Sequence, residues 1–584
     1  MDFQTTLKML PSVLTLAATI AAAAPQIDFW AVEAISPKRR LPTAAPEDGV
    51  KGGELRVIAA QGEYEAASFV LSSNEDIADA TLSLGDFAGV GGAKIPASEA
   101  DVKIVKCWYQ SGTAWHGFHS DMTRRILTPE LLLHDETLVK VDDATGDDFV
   151  RCDYADGSRG YYWTTYLPVD CKYQGGYYGF RNAWVHDAET LQPFALEKNR
   201  FKQFWITLHV PENTPEGLYR GTATVNAGGA QTQIPVIVKV LPFALPEPAV
   251  FRDPNRKFYA SMYVGEGGVD CGEKTAANLA RHNLLNPFLG SPADDVKAKA
   301  LYDRLEKYGF GTDMLFSHLP GSHYTMSAQP SETDASFDEF NNFLADLSNA
   351  VRRVHERYGE KAIPFSYGID EGNAAKVRAQ RAAWKAVQAL GGRTIVATKM
   401  RDFILFNLDA ANIPEVPSPM RREWNDKLHA SNPDMLVGWY ADPHSGPENP
   451  DMARRQYGWM TWRNNYDMVC QYTMFVRGWA EFNRPYENDL RSLSFAYAQD
   501  GDLIDTLQWE GFREAIDDIR YGTLLSRLAD EARVSKDVDV MYAGRAAKTW
   551  LAQVPYQESS LKTLRLEMIG KITNLRVLLK KEGR

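Results

Sequence analysis

The feature that most limits what this chain can fold into is a change of rhythm at a proline-rich stretch. "LPFALPEPAVFRDP" carries four prolines between 242 and 254. Before it, apolar residues recur at every second position; after it, short apolar runs alternate with helical stretches. One core does not serve both periods, and 584 residues exceed what a single compact core holds, so several domains are expected. In "KQFWITLHV", Phe204, Ile206, Leu208 and Val210 fall on one face and Gln203, Thr207 and His209 on the other, as in a half-buried strand. "PENTPEGLYRG" supplies a turn, with Pro215 preset for the bend, and a hairpin is expected to follow. "GTATV" returns, and "IPVIVKV" alternates through Ile234, Val236, Val238 and Val240. Residues 25–245 are therefore expected to form a β-sandwich region, with the prolines as a stiff linker.

Downstream, eight apolar runs are candidate strands: 257–263, 283–289, 311–317, 363–369, 393–399, 403–409, 434–440 and 467–473. Between them lie amphipathic stretches such as "SFDEFNNFLADLSNAVRRVHERYG", where Phe337, Phe340, Phe343, Leu344, Leu347 and Val351 keep roughly helical spacing. Eight strand–helix units predict a (β/α)8 barrel over 255–500. Residues 501–584 read as a C-terminal helical region. There, Phe512, Ile516 and Ile519 form one stripe with charged neighbours opposite, and Leu564, Met568, Leu575 and Leu579 another. The last stripe predicts a helix packed on the domain rather than on a membrane surface.

Composition narrows the partners. With 44% hydrophobic residues, 14 Trp and 26 Tyr, the chain is globular. A formal charge of -12, with no long basic run, speaks against nucleic acid. Lys8, the apolar run 9–20 and Ala21–Ala24 before Pro25 read as a signal peptide over 1–24, too short for a membrane span, so export to the periplasm or medium is expected. Five scattered cysteines suggest neither a disulfide scaffold nor a metal site. Cys152 and Cys171 are a possible pair or two buried thiols.

The stretch "IPFSYGIDEGNAAK" runs from a strand through two adjacent acids, Asp370 and Glu371, into a helix. At the C-terminal end of a barrel strand these acids would line the ligand-binding mouth, with Gly372 letting the backbone turn so that both face it. The alternative is capping, in which Asp370 or Asn373 accepts amide hydrogen bonds from the following helix. Tyr263, Trp439, Tyr440, Tyr472 and Trp479 lie at or near strand ends, where aromatic faces beside carboxylates suit a sugar ring; packing between barrel and helices is the other reading. His282 and His323 are candidates for sugar hydroxyls, or core and surface residues. The insert 106–139, rich in Trp, His and Arg, is expected to pack within the sandwich rather than reach the barrel mouth.

"SYGIDEGN", "ARRQYGWMTW", "LQWEGFREAIDDIRYGTLL", "GEYEAASFVL" and "KQFWITLHVPENTPEGLYRGTATV" together resemble glycoside hydrolase family 123 and its relatives with an uncharacterised C-terminal domain, from about Gly62 to Leu525. The resemblance implies a β-sandwich followed by a (β/α)8 barrel. It also implies a retaining, exo-acting β-N-acetylgalactosaminidase that needs no cofactor and uses the substrate's own 2-acetamido group as nucleophile. Asp370 would orient the acetamido N–H, and Glu371, its pKa raised by a negative neighbour and partial burial, would move the proton. No aromatic follows Asp409 where the family pattern leads one to expect it, which bears on sugar identity. Two alternatives stand beside this reading. One is a glycosidase for a sugar without the acetamido group, with Asp409 or Glu448 as nucleophile; the other is a glycan-binding protein without catalysis.

Overall fold

The computed structural model describes residues 24–111, 115–117, 124–154, 156–164, 183–264, 272–321, 330–398, 413–416, 421–440, 448–474, 479, 494–499 and 501–582. Residues 1–23 of the expected signal peptide over 1–24, Cys171, Cys271, His323, Asp409 and the candidate strand 403–409 lie outside this set.

The first half is built on two packed, mainly antiparallel sheets, with a third, smaller antiparallel sheet of Val139–Asp142, Asp147–Tyr154, Arg159–Trp163 and Ala183–Trp184 beside them. One runs in the order Val50–Lys51, Ile27–Val32, Tyr64–Ser73, Phe201–His209, Ala100–Ser111, Arg125–Leu133. The other runs Phe194–Leu196, Ile77–Leu84, Gly217–Ala227, Ala230–Ala244, Leu55–Gln61. Phe204, Ile206, Leu208 and Val210 meet Ile234, Val236, Val238 and Val240 in the core between them, as their alternation requires. The turn at 211–216 differs from expectation, because it carries the chain from one sheet to the other. The hairpin comes next, closed by Gly228 and Gly229 at φ +56° and +83°, values that suit residues without a Cβ.

The second half holds seven described parallel strands. Met314–Leu319, Ile363–Tyr367, Arg393–Ala397, Ile413–Val416 and Gly438–Trp439 form one sheet in chain order, with helices such as Phe337–Tyr358 and Arg422–Ser431 between them. Tyr259–Met262 pairs with Met468–Gln471. Two expectations shift. The place after Arg393–Ala397 is taken by Ile413–Val416, and the run 283–289 lies beside Tyr259–Met262 through a parallel bridge from Phe288 to Tyr263 and backbone bonds from Asn286 N–H to Ala260 O and Phe288 N–H to Met262 O, without forming a named strand. An eighth strand and a continuous closed ladder are not among the described elements, so the (β/α)8 expectation is met at the level of a mixed α/β architecture with a helical C-terminal segment.

The proline stretch is a packed strap rather than a spacer. Its first residues complete the strand Ala230–Ala244, and Ala249 is buried, its N–H donating to Thr523 Oγ1 at 2.9 Å and its carbonyl accepting from Trp462 Nε1 at 2.8 Å. Thr523 belongs to the central helix Leu507–Ala532, which is buried nearly all round, and Trp462 packs against it. The helix packs closely enough that a Cβ added at Gly522 would lie 2.3 Å from Trp462 Cη2. The charged face opposite the apolar stripe of Phe512, Ile516 and Ile519 is buried too. Its Glu514, Asp517 and Asp518, with Glu63 and Glu65 from the sandwich, share Arg454, Arg513, Arg520 and Arg565. The terminal helix Leu561–Lys581 lays Leu564, Met568, Leu575 and Leu579 into the core as its stripe predicts. No described helix is long and apolar enough to cross a membrane.

Carboxylates outnumber guanidiniums in this seam, and the cost falls on the sandwich acids. Burial, then the charge of Glu514, pushes Glu65 from its ordinary 4.5 up to about 8; burial with Asp517 and Glu65 nearby pushes Glu63 upward as well. A carboxyl whose folded pKa is raised binds a proton that the unfolded chain has lost. Its stabilisation is whole below its unfolded pKa, near 4.5, and is lost as pH rises through about 8. Thermal unfolding midpoints measured from about pH 5 to about pH 9 are therefore expected to fall, and Glu65→Gln to flatten that fall. An identical slope in the variant would contradict the assignment.

Candidate active site

The strand Ile363–Tyr367 delivers the acid pair through a tight local geometry. At Gly368 a Cβ would stand 2.9 Å from Val396 Cγ2 and 3.1 Å from Trp384 Nε1, so only glycine lets the chain run this close to the next strand. Gly368 N–H donates to Ile395 O at 2.7 Å, and Glu371 N–H to Ala397 O at 3.0 Å, extending the ladder past the strand end. The turn expected at Gly372 is made by Glu371 itself, at φ +43°. A side-chain-bearing residue held there costs on the order of 1 kcal/mol, strain that persists where surroundings over-determine it and that clusters at functional sites.

The capping alternative is resolved by Asn373, whose Oδ1 accepts from Lys376 N at 3.0 Å at the start of the helix Ala374–Ala379. Asp370 and Glu371 are turned to other partners. Tyr367 Oη donates to Asp370 Oδ1 at 3.0 Å, and Tyr440 Oη donates to Glu371 Oε1 at 2.5 Å. Tyr263 Oη donates in turn to Tyr367 Oη at 3.1 Å, and the Tyr472 ring meets the Tyr263 ring edge-on at 5.5 Å. Both acids are exposed, so the partial burial expected for Glu371 is not met.

Of the five predicted aromatics, Tyr263, Tyr440 and Tyr472 thus gather beside the acids, while two belong to packing. Trp439 is fully buried on the opposite face from Tyr440, stacked on Tyr457 at 5.2 Å with its Nε1 donating to Thr461 Oγ1. Strand alternation demands that neighbours diverge in this way. Trp479 is buried against Trp108 and Tyr497 in the seam with the sandwich, its Nε1 donating to Ala498 O at 2.7 Å. Sequence reasoning passed over Tyr367, counted as an ordinary strand residue; its place three positions before Asp370 was the available signal.

Glu448 fits poorly as a nucleophile. It is fully buried, and its Oε2 accepts the backbone N–H of Trp115 at 2.7 Å. That bond corrects the expectation for the insert, which supplies sandwich strands but also reaches across to the parallel-strand half. Glu130 accepts from Trp108 Nε1 within the sandwich at 2.7 Å and from Tyr497 Oη across the same seam at 2.8 Å.

His282 is a core residue, stacked on Trp509 at 4.5 Å and joined through Nδ1 to Asn278 O. With Asp505 and Glu510 it forms the group of buried ligand-type atoms, all within 4.8 Å of one another, that the described residues offer to a metal. Lys103 Nζ already lies 2.8 Å from Asp505 and Arg513 Nη2 2.7 Å from Glu510, so a divalent ion would sit against two fixed cations. Burial alone would raise the Asp505 carboxyl, yet Lys103 holds it well below the usual range. The group works as an ion-pair network binding the sandwich to the central helix.

No family model matches the chain, and no curated protein matches it. Among solved structures it is similar to a family 123 glycoside hydrolase from Clostridium perfringens, described for its hydrolysis of glycolipid glycans. The alignment covers 96% of this chain and 100% of that one, at 11% identity and a TM-score of 0.58. Bacteroides uniformis beta-glucuronidase 3 aligns over 80% of this chain and 53% of its own at 9% identity, with a TM-score of 0.27, too loose a superposition to bear on the argument. Nearly end to end, the chain shares its fold with that family 123 glycoside hydrolase, the family its motifs resemble.

Proposed function

We propose that the protein is an exported, retaining glycoside hydrolase that removes a terminal 2-acetamido sugar, of the β-N-acetylgalactosaminide type, by substrate-assisted catalysis. The observation that carries this reading is the adjacency of Asp370 and Glu371 at a parallel strand's C-terminal end, each held by its own tyrosine while Asn373 does the capping. Two acids side by side cannot flank a sugar ring from opposite faces, but they can serve a nucleophile that the substrate brings. We read the seven strands as a (β/α)8 barrel. The pairing of Tyr259–Met262 with Met468–Gln471 supports this, as does the interior cluster in which Tyr259, Phe316, Phe365, Ile395, Leu436 and Cys470 meet.

In this scheme the acetamido oxygen attacks the anomeric carbon as the bond to the aglycone breaks, and Glu371 gives its proton to the leaving oxygen. Asp370 accepts a hydrogen bond from the acetamido N–H and balances the positive charge of the oxazolinium ring that forms. Glu371, now a carboxylate, takes a proton from the water that attacks the anomeric carbon and opens that ring, so configuration is retained. The test is a panel of aryl 2-acetamido-2-deoxy-β-galactosides and glucosides beside their 2-hydroxy counterparts, with an oxazoline-mimicking thiazoline as inhibitor. Turnover confined to the acetamido sugars, with thiazoline inhibition, is expected. Equal turnover of 2-hydroxy sugars would favour a protein nucleophile, and binding without turnover a glycan-binding protein.

A further inference from the structure

Tyr263 reads from the sequence as a platform for the sugar, and its surroundings argue for something else. It is only 5% exposed. Its ring is stacked on Phe288 at 4.4 Å and meets Tyr367 and Tyr472 edge-on at 6.0 and 5.5 Å. Its backbone is fixed as well, the N–H donating to Gln471 O at 3.1 Å and the carbonyl accepting from Met474 N and Thr473 Oγ1. A ring so enclosed offers little face to a ligand. Its hydroxyl is directed at Tyr367 Oη, and Tyr367 donates onward to Asp370 Oδ1.

We propose that Tyr263 is a positioning residue for Asp370, acting through Tyr367. A phenol has one proton to donate. By donating to Tyr367 Oη, Tyr263 occupies an acceptor position there and commits the Tyr367 proton to Asp370. A chain of hydroxyls ending on a carboxylate also polarises itself, so the last bond is stronger than an isolated one. Asp370 needs such help because it is exposed, on a turn, where an aspartate otherwise samples several rotamers. The anchor is buried and rigid, the acid is exposed, and Tyr367, half-buried, joins them. Glu371 accepts from Tyr440, a residue outside the Tyr263–Tyr367 chain.

This inference rests on the role proposed for Asp370, and its test separates the two. Tyr263→Phe, Tyr367→Phe and the double variant keep the rings and remove only hydroxyls. With aryl 2-acetamido substrates, Tyr263→Phe is expected to lower kcat roughly tenfold with little change in KM, the scale of one buried hydrogen bond. Thiazoline affinity should fall by a similar factor, since the bound inhibitor places its N–H where Asp370 must receive it. The double variant should match Tyr367→Phe, because the hydrogen bond from Tyr263 acts on Asp370 through the Tyr367 hydroxyl. Crystal structures give a readout independent of turnover: Asp370 is expected to leave its position or spread over rotamers in Tyr263→Phe. Wild-type kinetics together with an unmoved Asp370 in that variant, or additive losses in the double variant, would overturn the proposal. A wild-type protein without turnover or thiazoline binding would sink the functional reading instead, leaving the Asp370 position in Tyr263→Phe to decide the relay.

Discussion

Glu371→Gln lowers kcat on 2-acetamido glycosides with poor leaving groups by roughly 10²–10⁴-fold, the range that a positioned proton donor supplies. Dinitrophenyl-class aglycones, which depart without a proton, lose much less in the same variant. The substitution is a clean one. Gln keeps the volume and retains an oxygen to accept from Tyr440 Oη, and the backbone bond from residue 371 to Ala397 O is untouched. Asp370→Asn is expected to behave differently, with a severe loss that does not depend on the leaving group, because stabilising the oxazolinium is needed whatever departs. Rates measured across aryl leaving groups of graded acidity check both statements. A uniform loss in Glu371→Gln, independent of the aglycone, would remove Glu371 from the proton-transfer role.

Arg565→Met destabilises the protein by about 3–5 kcal/mol, the cost of leaving buried carboxylates without their cation. From the terminal helix, Arg565 Nε donates to Asp518 Oδ1 at 2.8 Å, Nη1 to Glu65 Oε2 at 3.0 Å and to Glu514, and Nη2 to the Glu514 carbonyl at 2.8 Å. Its guanidinium also lies over the Tyr521 ring, 5.2 Å from the centroid. One side chain therefore ties together the sandwich, the central helix and the C-terminal helix. Met fills the space but meets none of these charges, and Arg454 and Arg513 are already engaged with Asp518 and Glu510. The comparison is Arg352→Ala, whose partner Glu356 lies one turn away on the same helix with both side chains about half exposed; it should leave the unfolding midpoint nearly unchanged. Similar unfolding midpoints for the two variants would show the seam to be unimportant.

How far the sequence went depended on the distance over which each feature was encoded. "YGIDEGN" contains a strand end, a glycine at a close approach, two acids and a helix cap within seven residues, so the acid pair was visible locally. The period-two and period-3.6 patterns likewise located the sandwich strands and the stripe of the terminal helix, since each is a property of neighbouring positions. Errors arose where a residue's meaning depended on a distant partner. The charged face of the central helix does not show its burial until Arg565, 47 positions beyond Asp518, is placed against it.

The sequence by itself determined the two architectures, the switch between them and the acid pair. Only the tertiary structure decided which aromatics meet those acids. Tyr440 reaches Glu371 across 69 residues and Tyr263 reaches Tyr367 across 104, while Trp439, next to Tyr440, turns into the packing on the other side. Alternation establishes that adjacent strand residues face opposite ways, but sheet order and register settle which one faces the site. Those are set by the summed burial of many strands, which no short stretch of chain contains.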